Sequence, residues 1–318
     1  MHKEKKNQLP YHTISFLYTN CIRNQLTYAK IIRTFVPANK RIMSKRNKKN
    51  TKKWIIIAIV IIALIGGNSL RTFTDNINKK IIQEVNKQVE AVGMEIPTLS
   101  TDKQGQIIQH TGYTLSYNNQ MRTPQWVAWE LTKAETRGEE ERSSEFQTDT
   151  HVIGTKVETY DYSRSGYDRG HMAPAGDMKW DKQAMQESFY MSNICPQDHN
   201  LNKGDWNDLE IKTREWARRY GKAYVVCGPI YQKGKKIKYI GNNRVAVPHA
   251  FFKAILIYQK NKPMTMGFYF ENKAGHQSLK DYLVSIDELE TMTDMDFFSL
   301  LPDEIEDDIE KKVVDKLP

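Results

Sequence analysis

The stretch Asp168-Arg169-Gly170-His171-Met172-Ala173-Pro174-Ala175-Gly176-Asp177-Met178 gathers a cation, an imidazole, two carboxylates and two glycines into eleven residues. Its apolar residues follow no helical or alternating period, so it does not read as core. Gly170 permits close backbone approach, Pro174 stops a helix, and His171 can exchange a proton near neutral pH. A polar turn with a surface histidine is the plainer alternative. About thirty residues on comes a second cluster, Asn202-Lys203-Gly204-Asp205-Trp206-Asn207-Asp208-Leu209-Glu210. An Asn carbonyl is a hard, neutral oxygen ligand suited to Mg2+, which keeps most of its waters. A neutral histidine takes a proton from water, and arginines grip a phosphate and offset its developing charge. Together, His171, Asn202, Glu210 and an arginine such as Arg142 would hydrolyse a phosphodiester with one metal ion. Singly, Asn202 reads as a helix cap, Glu210 as a solvated helix residue and Arg142 as a loop charge.

The string Asp-Arg-Gly-His-Met-Ala-Pro-Ala (168–175), followed by Asn202-Lys203-Gly204-Asp205-Trp206 and Leu209-Glu210, resembles the DNA/RNA non-specific endonuclease family. That family includes secreted bacterial sugar-non-specific nucleases and mitochondrial endonuclease G. The likeness runs from about Tyr113 to Leu301, through Trp126-Val127-Ala128, Ser192-Asn193-Ile194-Cys195-Pro196-Gln197 and Val245-Ala246-Val247-Pro248. It implies an α+β fold: a ββα-metal nuclease core within a mixed, mainly antiparallel sheet flanked by helices. It implies further that His171 is the general base and Asn202 the direct Mg2+ ligand. Glu210 would hold metal-bound water, and Arg169, Asn193 and the looser match Arg142 would lie at the site. Mn2+ or another divalent ion is the alternative cofactor. DNA and RNA are the implied substrates, and oligonucleotides with 5′-phosphates the implied products. Gly176-Asp177 departs from the Ala-Asp of many members, a small change.

Other chemistries fit less well. A zinc hydrolase built on His171, His199, Cys195 or Cys227 lacks the short ligand spacings of such sites. A P-loop is excluded, because Gly228 to Gly234-Lys235 has five intervening residues and Lys236 stands where Ser or Thr is needed. No Gly-x-Ser-x-Gly elbow is present. A surface nucleic-acid-binding protein of the same fold with weak catalysis predicts a missing base or ligand, yet both residues are there. A narrower substrate, such as DNA during uptake or competition, is a further variant.

These residues need elements to position them. Tyr113 to Tyr117 alternates as a strand before the turn Asn118-Asn119, and Trp126 to Leu131 reads as a second strand. Phe189 to Ile194 reads as a short buried segment. From about Gly204 to Tyr220, Trp206, Leu209, Trp216 and Tyr220 mark one helical face, with Asn202 at or before its start. Ala223 to Cys227, Val245 to Pro248, Phe251 to Tyr258 and Met266 to Phe270 read as strands, and Asp287 to Phe298 as a closing helix. Strands and helices mix without βαβ rhythm, which favours α+β over a doubly wound sheet.

The 318 residues carry a net charge of +9, but the average misleads. Residues 1–53 hold 14 Lys/Arg against Glu4 alone; residues 54–318 carry the other 33 against 37 Asp/Glu. The domain itself is therefore near neutral, and anion binding must come from local arginines. The basic extension 1–53, with Met43 as a second candidate start, precedes an apolar segment at 54–70. That pattern reads as an uncleaved signal anchor, with a cleaved signal peptide as the alternative. The catalytic domain then faces outward or is secreted. Residues 71–106 read as an amphipathic helix and linker, Phe73, Ile77, Ile81, Val85, Val89 and Val92 forming a stalk or homodimer seam. The nuclease domain is assigned to 107–302 and an acidic tail to 303–318. Cys21, Cys195 and Cys227 form no disulfide framework; Cys195 and Cys227 read as two buried free thiols, with pairing the alternative in an exported chain.

Overall fold

Alternating apolar residues build a central sheet whose long strands show different side chains to its two faces. The computed structural model describes residues 72, 74–83, 93–99, 103–260, 262–273 and 275–318. The chain divides into residues 1–71 and 72–318. The first unit, with the expected membrane segment 54–70, lies outside the described residues. No described helix is long and apolar enough to cross a membrane. Of the amphipathic helix expected between Leu70 and Val92, residues 74–83 are helical, and much of its seam lies outside the described residues.

Strands β1 (Gln106–Gln109), β2 (Thr114–Asn118) and β3 (Thr123–Thr132) come first. A short pair follows, β4 (Asp168–His171) and β5 (Ile194–Gln197), then β6 (Lys222–Ile230) and the small hairpin β7 (Lys238–Ile240) and β8 (Val245–Val247). Strands β9 (Ala250–Gln259), β10 (Lys262–Glu271) and β11 (Leu283–Val284) complete the set. Seven of them form one sheet in the order β1-β2-β3-β6-β9-β10-β11, each neighbouring pair antiparallel. Beyond the helical residues 74–83, the α-helices among the described residues are α1 (Lys182–Glu187), α2 (His199–Lys203), α3 (Asp205–Tyr220), α4 (Ile286–Thr293) and α5 (Asp303–Ile309).

On one sheet face Leu115, Val127, Trp129, Val225, Cys227, Ile255 and Phe268 pack with Trp206, Leu209 and Trp216 of α3. On the other, Trp126, Ala128, Val226, Phe252 and Leu256 pack with Ile286 and Leu289 of α4 and with Phe297 and Phe298. The result is a helix–sheet–helix sandwich, the mixed and mainly antiparallel architecture expected from the sequence. Helix α3 forms because its buried residues recur every three or four positions, and it ends at Gly221, whose φ of 99° suits glycine.

Two boundaries differ from the sequence reading. Met94, Ile96 and Leu99 pack against the second core, and Thr98 pairs with Asp296, so the folded unit begins before Ile107. The stretch expected as an acidic tail is packed. Residues Asp303–Ile309 are helical, Val314 and Leu317 lie against the first core, and Trp216 Nε1 donates to the Pro318 carbonyl at 3.1 Å. Its acidic composition hid the apolar residues spaced to reach the core.

Residues 133–221 leave β3 and return to its neighbour β6 as one excursion. The excursion is closed at its base by the Lys133 N–H donating to the Gly221 carbonyl at 2.7 Å. All the residues singled out for chemistry lie on it.

Candidate active site

The stretch 168–178 is not the polar turn of the plainer reading. Its first four residues form β4, antiparallel to β5, with Gly170 opposite Cys195 and His171 opposite Ile194. Gly170 is required there, because a Cβ would overlap the Gln197 side chain. Strand β4 therefore delivers Asp168 and His171 from one rigid element.

His171 is 9% exposed and packs against two aromatic rings that also touch each other, Phe189 at 4.8 Å and Phe146 at 5.3 Å between centroids. The outer partners of those rings are the two arginines. Arg142 lies over Phe189 and Arg169 over Phe146, each 5.2 Å from the ring centroid. Arg169 is fixed by donating from Nη2 to the Thr159 carbonyl at 3.0 Å, while its Nε is buried without a partner. Burial, and next the positive charge of Arg142, push the His171 imidazole down to about 3. The ring is thus neutral at physiological pH, and its Nε2 is a buried nitrogen with no protein partner. The His171 carbonyl accepts from Trp206 Nε1 at 3.3 Å, which ties β4 to α3.

Asn202 lies in α2, and the cap reading fails. Asp198 caps α2, accepting from Asn200 N and Leu201 N, and α3 begins after Gly204 with no side-chain cap. Instead Asn202 Nδ2 donates to Asp168 Oδ2 at 2.9 Å. That bond turns the amide so that its carbonyl oxygen is the atom left to ligate. Asp168 also accepts from His199 Nδ1 at 3.0 Å. Glu210, on α3 one turn after Trp206, is half-buried. Burial raises its carboxyl to about 7, Lys253 pulls it down, Asp177 raises it, and Arg214 and Arg142 pull it down further. Arg142 is therefore close enough to act on both His171 and Glu210.

Asn193, grouped with the site on resemblance, is buried and fully committed to backbone. Its Nδ2 donates to the Ala173 and Ser188 carbonyls at 2.9 and 2.8 Å, and its Oδ1 accepts from Ala173 N at 2.9 Å. It clamps the segment following His171, which makes it a positioning residue with no atom left for substrate. Asn193→Ala strands three buried backbone groups at roughly 1–3 kcal/mol each, so a loss of about 3 kcal/mol or more in urea unfolding is expected. A loss well under that, with turnover abolished, would instead give Asn193 a direct part in the chemistry.

Four residues had no role in the sequence reading. Asp168 stood inside the recognised string, and only its bond to Asn202 reveals its use. Phe146 and Phe189 gave no signal, since a wall of rings depends on the fold. Lys253, 1% exposed in β9, was signalled by being a lone cation in an apolar strand; its Nζ lies 4.1 Å from the Trp206 ring centroid. Asp177, the second carboxylate of the string, is consumed by Arg214 at 2.7 Å and Trp129 Nε1 at 3.1 Å. Cys195 and Cys227 are buried free thiols, and Cys227 Sγ donates to the Met172 carbonyl. They form no cluster with His171 or His199 among the described residues.

A family model described as DNA/RNA non-specific endonuclease matches residues 92–304. The mitochondrial nuclease EXOG of Xenopus laevis is 37% identical over 209 residues, covering 61% of this chain and 58% of that protein. Mitochondrial endonuclease G of Bos taurus is 35% identical over 198 residues, 58% of this chain and 66% of its own. A nuclease of a Nostoc strain is 32% identical over 213 residues, 63% and 76% respectively. The chain thus spans 56–60% of the length of the EXOG proteins it matches. A crystal structure of the EndoG/EndoGI complex, concerned with the mechanism of EndoG inhibition, has a similar fold. Its TM-score is 0.60 at 31% identity, over 63% of this chain and 88% of that one.

Proposed function

Because the chain belongs to the DNA/RNA non-specific endonuclease family, we propose that it is a divalent-metal-dependent endonuclease that hydrolyses phosphodiester bonds of both DNA and RNA. The observation that carries this reading is the placement of His171. It packs against two arginine-backed rings, on the strand whose Asp168 turns the carbonyl of Asn202.

His171 acts as general base. Its imidazole is neutral at working pH and its Nε2 lacks a protein partner, so it takes the proton of an attacking water. Arg142 and Arg169 hold the phosphate and offset the charge that builds on its oxygens. A site that grips phosphate gathers little base information, which accounts for action on either nucleic acid. Cleavage on the 3′-oxygen side leaves 5′-phosphate ends.

The donors fit a hard divalent ion. Asn202 offers a carbonyl oxygen, and the Glu210 carboxylate is raised to about 7 by burial that nearby lysine and arginine only partly offset, a deficit a cation corrects. Asn202 would hold Mg2+ or Mn2+ directly and Glu210 through water, and the ion would neutralise charge at the phosphate and the leaving oxygen.

A pH dependence follows. Glu210 is protonated below about 7, and a cation competes with that proton, whereas His171 protonates only near about 3. Rates should fall on the acid side of neutrality through Glu210, and the midpoint should move to lower pH as Mg2+ is raised. A midpoint fixed at every Mg2+ concentration would remove Glu210 from the metal shell.

The direct assay incubates the full chain with plasmid DNA and with RNA, with and without EDTA, followed by end-group analysis. Binding of either nucleic acid without cleavage in Mg2+ would leave the nucleic-acid-binding alternative. As to location, an apolar segment at 54–70 behind a basic flank supports a domain held outside the membrane or released by cleavage, with the helix over 74–83 as a stalk or dimer seam. Protease added to intact cells should then digest the domain or find it already in the medium.

A further inference from the structure

Behind the aromatic wall of His171 lies a group of side chains for which phosphodiester hydrolysis has no use. His110 follows β1 and turns inward, its side chain 1% exposed. Asp149, also 1% exposed at its side chain, lies between it and His151, which is 56% exposed. His110 Nε2 is 3.2 Å from Asp149 Oδ2, and His151 Nδ1 is 2.9 Å from Asp149 Oδ1. One ligand atom from each of the three residues lies within 4.8 Å of the other two.

Two imidazole nitrogens and one carboxylate oxygen, converging from two segments, are the donors that zinc and its first-row neighbours prefer to the oxygen-only set of Mg2+. The buried pair sets the geometry, and the exposed His151 leaves the remaining position open to solvent. A second observation bears on the same point. His110 Nδ1 is buried with no hydrogen-bond partner, and the Glu187 carboxylate stands 3.9 Å away. An imidazole that ligates through one nitrogen carries its proton on the other and points it at a carboxylate, and Glu187 is stationed there. Glu187 is itself held by Thr111 N at 2.6 Å and by Gln183 Nε2 at 2.8 Å.

We infer that His110, Asp149 and His151 form a binding site for a divalent transition-metal ion, with zinc as the reference, separate from the Asn202 site. Its role is structural. Asp149 Oδ2 accepts from Ser192 Oγ at 2.6 Å, Tyr190 packs on His110 at 5.3 Å, and the next residue, Asn193, clamps the segment after His171. An ion here pins the 187–193 segment, and with it Phe189, one wall of the His171 pocket.

The test uses full-length protein stripped with EDTA, reloaded with Zn2+, desalted and analysed for metal by mass spectrometry. The Asn202→Ala background removes the other metal site from the comparison. Asn202→Ala should retain one zinc per chain beyond what Asn202→Ala/His151→Ala retains. Zinc should also raise the melting temperature of the first variant and not of the second. His151 is exposed, so its removal leaves the fold in place, and matching circular dichroism spectra of the two zinc-free variants verify this. Equal zinc content in the two variants, whether zero or one, overturns the proposal. A zinc-dependent melting shift that survives His151→Ala does the same.

Discussion

His171→Ala lowers cleavage of plasmid DNA and of RNA alike by roughly 10²–10⁴-fold, the worth of a positioned general base. The loss falls on both substrates because the proton comes from water and not from either sugar. The fold survives, since β4 is paired to β5 through backbone and the bond from Trp206 reaches the carbonyl of residue 171, which alanine keeps. Arg142 and Arg169 stay over their rings, so nucleic-acid binding persists in a gel-shift assay at unchanged Mg2+. The combination to look for is intact binding with lost turnover. A variant that nicks plasmid at the wild-type rate would move the base elsewhere, and one that no longer binds would show that the ring supports the arginines.

The second large effect is on metal use. Asn202→Ala removes the carbonyl that Asp168 turns outward, and saturating Mg2+ should not restore wild-type turnover. Asp168→Ala acts one step back. Without the 2.9 Å bond the carboxamide rotates freely, and a change in outer-shell support of this kind typically costs about 10- to 100-fold in metal affinity. The Mg2+ concentration for half-maximal rate should therefore rise in Asp168→Ala and be recovered at high Mg2+, while Asn202→Ala stays low throughout. Identical Mg2+ curves for wild type and Asn202→Ala would exclude Asn202 as a ligand.

The sheet was legible because its signal is local. Trp126 to Leu131 and Phe251 to Tyr258 are apolar runs of strand length, and Trp206, Leu209 and Trp216 fall on one helical face. The β4–β5 pair was not, because Gly170, Pro174 and Pro196 break any alternation and the pairing rests on a close approach between Gly170 and Gln197 across the chain. The contributing residue types at the site were legible, and their family likeness named them, but their connections were not. Nothing in sequence shows that Asp168 grips Asn202, or that Phe146 and Phe189 pack against both His171 and the arginines. Asn193 was named by its place in a recognised string, and only the fold shows the three backbone bonds that make it a clamp. Lys253 was visible as a lone cation in an apolar strand, yet its partner Trp206 is contributed by a segment far away in the chain.

The excursion 133–221 departs from one strand and rejoins the adjacent one at ends joined by a single hydrogen bond. Two crossover points therefore suffice to transplant it whole between relatives, a cassette exchanged on a retained scaffold. The seam that a chimera must match includes the contacts of Trp206, Asp177 and Asp149, carried by the cassette, with Lys253, Trp129 and His110, left behind on the scaffold.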